Sequence, residues 1–335
     1  MADAEGHWRG AALIATRVMG GARRRFDPAV AWAFGCVVLV LLVGSLYSRS
    51  FLSPDYLLQQ LKVASFLGVI ATGEMLVILL GQIDLSVPWI VAVGGMMATA
   101  ATGWGPWGEV MAIPVGVGCG IVLGLVNGAG VAVLRLPSMV VTLAVNAVAQ
   151  GLMIVHTGGF SPQASSSPAM RFLATGGTVF GIPNALIVWA VIGAGAVFLL
   201  TRTTFGRTVY AIGNRERAAY LSGARTDFVV VAAFGIAGAL SAFGGVLLAG
   251  YASKAAQAMG DPYLLPAIAA VVLGGTSILG GRGNYLGTVA GVILITLLQS
   301  ILSVMQIEEF GRHVIYGVVI VGMLLIYGRG RRYAE

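Results

Sequence analysis

The sequence predicts an all-α membrane protein of about ten transmembrane helices, and three observations carry that reading. Hydrophobic residues make up 58% of the 335 positions, charged residues only 10%, and the mean hydropathy is +0.90. Soluble domains carry about 25% charge, so a soluble fold of this length would lack the polar residues to cover its surface. Apolar runs of roughly 20 residues, enough to cross a hydrocarbon core of about 30 Å as a helix, recur along the chain. Those runs also lack the period-two alternation that the strands of a membrane barrel require.

Taken in order, runs bounded by polar or Gly/Pro punctuation lie near 29–47, 61–80, 86–102, 110–134, 138–157, 183–201, 228–250, 264–281, 286–304 and 312–328. They define a membrane domain over 29–328, flanked by tails at 1–28 and 329–335. The first run follows a polar, Arg-containing segment and is succeeded by further spans, which is the pattern of a first crossing rather than of a cleavable signal. Trp104 and Trp107 fall at a span end, where amphipathic rings favour the interface.

The net charge of +7 reports orientation rather than affinity for nucleic acid. Eighteen of the twenty basic residues are Arg, and they occupy the short gaps between apolar runs. With the N-terminus in the cytoplasm, Arg9, Arg17, Arg23–Arg25, Arg135, Arg202, Arg207, Arg215, Arg217, Arg225, Arg282, Arg329, Arg331 and Arg332 are inside. Only Arg49, Lys62, Arg171, Lys254 and Arg312 are outside. Fifteen against five is the bias of the positive-inside rule, and it places both termini in the cytoplasm.

Two gaps are long. Thr157–Ile182, rich in Gly, Ser and Pro, belongs outside. Thr201–Asp227 belongs inside and carries five Arg. A weak internal echo links Val77–Ser86 (VILLGQIDLS) with Val271–Gly280 (VVLGGTSILG), two Gly-interrupted ends of apolar runs of the kind that mark transporter repeats. Gly116, Gly120, Gly124 and Gly128 recur at every fourth position, as Gly287 and Gly291 do, which is the spacing of close helix packing.

Catalytic and nucleotide motifs are missing. There is no GxxxxGK[ST], and the only lysines are Lys62 and Lys254, so the chain has no P-loop of its own. His7, His156 and His313 form no HExxH or Cys/His cluster, and Cys36 and Cys119 lie singly inside apolar runs, so neither a metal site nor a disulfide framework is expected. The chain is expected to be a non-catalytic subunit that binds no cofactor.

Ionisable and amide side chains at span depth are the candidates for function. Asp84 and Ser86 lie in Gly81–Ser86, either as part of a translocation path or as the N-cap of the helix beginning near Val87, with Pro88 in its first turn. Glu74 lies in mid-run and should pair with a polar group, for which Asn127, Asn146 and Gln150 are available. With Thr142, these seven are the candidate lining of a path. On the inner side, Glu216–Leu221 has the composition of a short helix with a stop at Gly223. Small residues on one face and charges on another would let it dock into a soluble partner. The residues of this segment (202–227) assigned to docking are Gly213, Asn214, Arg215, Glu216, Ala218, Ala219, Leu221, Ser222 and Gly223.

Three stretches give the chain a family resemblance. Gly81–Val87 resembles the Gly-Gly-Ile-Asp-Leu-Ser-Val-Gly signature of ribose/xylose-type permeases of ABC importers, carbohydrate permeases related to branched-chain amino-acid permeases. Asn127–Leu143, with Leu136-Pro137-Ser138 and Thr142-Leu143, resembles a second family stretch, and Val271–Gly291 a third. Gln82 stands where the family has its second Gly, and Pro88 where it has the Gly after Val87. The resemblance runs from about Ser53 to Tyr327. It implies the ABC importer permease fold and the passage of a monosaccharide or related polyol. It also implies a second permease copy or paralogue, an ABC ATPase holding ATP and Mg, and an extracytoplasmic sugar-binding protein. A branched-chain amino-acid or nucleoside permease of the same superfamily is the neighbouring alternative. A stand-alone ion-coupled transporter using Asp84 or Glu74 is the more distant one.

Overall fold

The computed structural model describes residues 28–47, 49–160, 162–176, 181–308, 310–312, 314–318 and 321. The tail at 329–335, nearly all of the tail at 1–28, His7, His313 and much of the run 312–328 lie outside the described residues. Apart from turns, two 3₁₀ segments and one isolated bridge between Ser165 and Lys254, the described residues are helical.

The α-helices are α1 (Pro28–Tyr47), α2 (Pro54–Leu79), α3 (Val87–Ala101), α4 (Gly108–Ala132), α5 (Ser138–Thr157), α6 (Pro168–Thr175), α7 (Asn184–Arg202), α8 (Thr204–Leu221), α9 (Thr226–Ala252), α10 (Leu264–Leu273) and α11 (Tyr285–Val304). Six of them, α2, α4, α5, α7, α9 and α11, are long and apolar enough to cross a bilayer. Helix α2 starts where Pro54 fits the first turn and the Ser53 hydroxyl accepts from the Tyr56 amide. From Ala64 to Leu79 it is buried on every side, the signature of a helix at the centre of a bundle. Helix α9 is its counterpart and packs against α2, α3 and α4, while α11 packs against α1, α2 and α10.

The glycine stripes are the seams of this bundle. Gly120, Gly124 and Gly128 of α4 lie against Gly238, Phe234 and Val231 of α9 with no room for a Cβ, and Gly287 and Gly291 of α11 lie on Gly274 and Ala270 in the same way. Backbones that approach this closely gain dispersion contacts that lipid cannot supply.

One expected span is corrected, and another is shorter than a full crossing. The run 86–102 contains α3, 15 residues and so about 22 Å long, and the run 264–281 contains α10, 10 residues and about 15 Å. Neither helix alone covers the core thickness. Helix α3 fills its run and follows the non-helical Gly81–Ser86, whereas the second run is interrupted and continues as non-helical backbone over Gly274–Asn284. Non-helical backbone is kept from lipid only where protein covers it, and here the two segments pack on each other at Gly81, Leu279 and Gly280. The outer gap is not wholly irregular either. It contains α6, capped by Ser167 and seated through Met170 on Gly250 of α9.

Loops sort to two ends. Gly81, Arg135, Gly213, Asp227 and Gly281 are linked at one end. Thr102, Thr157, Ser165 and Ser253 meet at the other, through Thr102 to Ser165 (3.2 Å), Gln257 to Thr157 (3.0 Å) and Ser166 to Ser253 (3.0 Å). This grouping of loops agrees with the partition expected from the charges.

Candidate functional site

The site is built on the break between α2 and α3. Asp84 and Ser86 are completely buried. The Ser86 amide donates to Asp84 Oδ1 at 2.8 Å, its hydroxyl donates to the same oxygen, and Asn127 Nδ2 of α4 donates to Ser86 Oγ at 2.7 Å. Ser86 does occupy the N-cap position of α3, with Pro88 in the first turn, but its side chain caps nothing. The capping expectation is therefore corrected: the hydroxyl is held by Asp84 and Asn127 instead. Asp84 Oδ2 and Asn127 Oδ1 have no hydrogen-bond partner among the described residues. Glu74 of α2 is fully buried and neither of its carboxylate oxygens has a hydrogen-bond partner among the described residues, so the expected pairing with Asn127, Asn146 or Gln150 is not made.

Helix α5 supplies what the broken backbone needs. Ser138 Oγ accepts from the Ile83 amide (3.3 Å), Thr142 Oγ1 from Leu85 (3.0 Å) and Asn146 Oδ1 from Trp89 (3.4 Å). Residues four apart stack along one helix face, so this single stripe runs beside the unwound segment and the first turn of α3. Unpaired amides there would cost about 1–3 kcal/mol each. Gln150, the next member of the series, points outward and makes no hydrogen bond among the described residues. Sequence reasoning found Thr142 and Asn146 but missed Ser138. Its spacing of four from Thr142 was the available signal.

The cytoplasm-assigned segment forms α8, and its backbone leaves helical geometry at Arg215 (φ −158°, ψ 100°). The kink separates Glu216–Leu221 as a distinct short helix, over the residues whose composition predicted one. Tyr220, Leu221 and Phe228 are 63%, 77% and 67% exposed. Arg215, Glu216, Ala218, Ser222 and Gly223 are also exposed, while Ala219 is buried. Beside the short helix lies a groove of about 450 Å³ lined by Ala211, Asn214, Ala218 and Ser222. Tyr220 was missed as an exposed member because a Tyr between small residues gives no sign of which way it points.

The base of this segment is fastened to both non-helical segments, Gly81–Ser86 and Gly274–Asn284. Gly213 sits where a Cβ would strike the Leu79 carbonyl and the Gly281 amide. Asn214 Nδ2 donates to the Tyr210 carbonyl (2.9 Å) and the Gly281 carbonyl (3.2 Å), and the Tyr210 hydroxyl donates to Gly283 (3.0 Å). Burial pushes the Tyr210 hydroxyl above its usual pKa, so it stays protonated and a donor at neutral pH. Gly81, Gly280 and Gly281 all have positive φ, which lets the two turns interlock. Gly213 thus faces the bundle, while Asn214 reaches Gly281 from an exposed position at the edge of the groove.

Residues 56–327 match the family described as the branched-chain amino acid transport system / permease component. The chain belongs to that family. The permease is 38% identical to a ribose import permease protein of Bacillus subtilis over 87% of its own length and 90% of the relative's. It is 30% identical to a D-allose transport system permease protein of Escherichia coli (strain K12), covering 93% and 95% of the two chains. It is 32% identical to an L-arabinose ABC transporter permease protein of Azospirillum brasilense, covering 97% and 95%. No solved structure matches it. The permease is a multi-pass transport subunit of the plasma membrane.

Proposed function

We propose that the permease forms the translocation path of an ATP-driven importer for a monosaccharide or related polyol. The observation that carries this reading is the short helix Glu216–Leu221, whose base is fastened to both non-helical segments, Gly81–Ser86 and Gly274–Asn284. The sugars named for its relatives supply the substrate class. In this reading the exposed Tyr220 and Leu221 and the adjoining groove receive a separate ATPase, which holds ATP and Mg, and both termini lie in the cytoplasm. Closure of the ATPase pair displaces the short helix, and its base moves Leu79 and Gly281 together. The bundle then opens to one side at a time.

The path runs along α5. Leu143, Val148, Leu152 and Val155 make this helix apolar on its exposed side, yet Gln150 shares that side. An amide at span depth is unfavourable against lipid and finds its place against protein or a watered path. A second copy or paralogue covering α5 meets that requirement, with a sugar-binding protein delivering substrate from the outer face.

The test is reconstitution in proteoliposomes with the adjacent ATPase and candidate sugar-binding proteins, measuring sugar-dependent ATP hydrolysis and uptake. Sugar-stimulated hydrolysis with ATP-dependent uptake is expected. Concentrative uptake by the permease alone in a proton or sodium gradient would show instead that Glu74 and Asp84 couple an ion, and would overturn the reading.

A further inference from the structure

Arg135 stands in the turn between α4 and α5, and three observations set it apart. Its backbone is left-handed, with φ 55°. Just past a helix end, that conformation belongs to glycine, and a residue with a Cβ is strained there. The chain therefore keeps a side chain at a position that penalises one.

That side chain bridges two elements. Arg135 Nη1 lies 2.8 Å from Glu216 Oε1 on the short helix of α8, and Nη2 lies 2.8 Å from Asp227 Oδ1 in the first turn of α9. The guanidinium and both carboxylates are about half exposed, and exposed pairs of this kind add little to folding stability. Static strength does not account for the arrangement. A planar fork shared between two carboxylates does fix their relative position, which is a geometric rather than an energetic role.

The turn leads directly to the non-helical segment Gly81–Ser86. Leu136 and Pro137 follow Arg135, and the next residue, Ser138, accepts the Ile83 amide with Thr142 accepting Leu85 one helical turn later. Pro137 restricts the intervening backbone. A movement of Glu216 relative to Asp227 therefore reaches Ile83, Asp84 and Leu85 through a short, stiff path.

We propose that Arg135 is a positioning residue that carries displacement of the Glu216–Leu221 helix into the Gly81–Ser86 turn, and so sets the amount of sugar moved per ATP hydrolysed. This rests on the reading of Glu216–Leu221 as the ATPase contact. It adds a second route from that helix into the bundle, separate from the Gly213 junction.

The experiment uses the complete permease–ATPase complex with its binding protein in proteoliposomes, recording uptake and hydrolysis together. Arg135→Gly removes the guanidinium and relieves the left-handed strain, so the variant should fold at least as stably as the parent. Expected are an unchanged or raised thermal midpoint, unchanged co-purification with the ATPase, and uptake per ATP lowered by about five-fold or more, the lower end of ordinary coupling between sites. Glu216→Gln should lower the same ratio, and the Arg135→Gly/Glu216→Gln double variant should be no worse than Arg135→Gly alone. Raising salt from about 0.05 to about 0.5 M should lower the ratio in the parent complex but leave it unchanged in Arg135→Gly. A parent-like ratio in Arg135→Gly overturns the proposal, as does loss of the ATPase from that variant, which would make Arg135 an anchor instead. Absence of sugar-stimulated hydrolysis in the parent complex overturns the importer reading itself.

Discussion

The amide of Gly281 donates to the carbonyl of Leu79 at 2.9 Å, so the last turn of α2 and the interrupted segment after α10 share one hydrogen bond. At the same point Gly213 closes against both residues. Three segments distant in sequence thus meet in backbone contact at one end of the bundle. A displacement of any one is felt by the other two.

Gly213 should therefore behave as a structural residue. Gly213→Val places side-chain atoms into the Leu79 carbonyl and the Gly281 amide, where backbone cannot yield. Overpacking of this kind costs about 1–3 kcal/mol. A lowered thermal midpoint in detergent is expected, with loss of transport following from loss of folded protein.

Leu221 should show the opposite behaviour. It is 77% exposed, so Leu221→Asp is expected to shift stability by no more than about 0.5 kcal/mol. A carboxylate placed at an apolar contact must be desolvated without a partner when the ATPase covers it, which costs binding free energy. Binding of the ATPase to the solubilised permease should weaken by about ten-fold, read by titration.

Thr142 tests the acceptor role of α5. Thr142→Val keeps the shape but leaves the Leu85 amide unpaired, at a cost of about 1–3 kcal/mol, whereas Thr142→Ser keeps the acceptor. Thermal unfolding should separate the two variants, with Ser close to the parent and Val clearly lower.

Gln150 tests what covers α5. Gln150→Cys on an otherwise cysteine-free chain should form a cross-linked dimer with a short bifunctional thiol reagent in native membranes. A monomer band only, with free thiol still reactive from the lipid phase, would place this face against lipid.

Asp84 separates a hydrogen-bonding role from a charge-carrying one. Asp84→Asn keeps an oxygen to accept from the Ser86 amide and hydroxyl, while Asp84→Ala leaves both donors buried and unpaired. Uptake in the Asn variant is expected within about two-fold of the parent at equal protein, and the Ala variant should accumulate poorly. Abolished uptake in a well-folded Asn variant would assign the charge a direct part in transport.

Much of this was legible in residues taken one at a time. The stripe Gly116–Gly128 announced close packing because only glycine lets backbones meet, and the structure lays Gly116 on α3 and Gly120, Gly124 and Gly128 on α9. Glu216–Leu221 announced a short helix through composition and the Gly223 stop. The length of α10 was not legible, because hydropathy registers apolar content and not whether the backbone stays helical through Gly274–Asn284. Nor was the use of Thr142 and Asn146. A polar side chain at span depth reads the same whether it lines a path or accepts from an unwound amide 50 or more residues away.

By itself, the sequence determined the solvent, the class and the family. A chain that is 58% hydrophobic and 10% charged can be covered only by lipid, and the placement of its arginines sorts its loops into two sets. The tertiary structure alone decided which polar groups serve one another. Asp84 is held by Ser86, Ser86 by Asn127, Ile83 and Leu85 by α5, and Gly213 by Leu79 and Gly281. The reason is physical. Hydrophobic burial is non-directional and roughly additive, so it can be read from composition. A buried hydrogen bond needs a donor and an acceptor within about 3 Å at a set angle, and only the folded arrangement of distant segments brings them there.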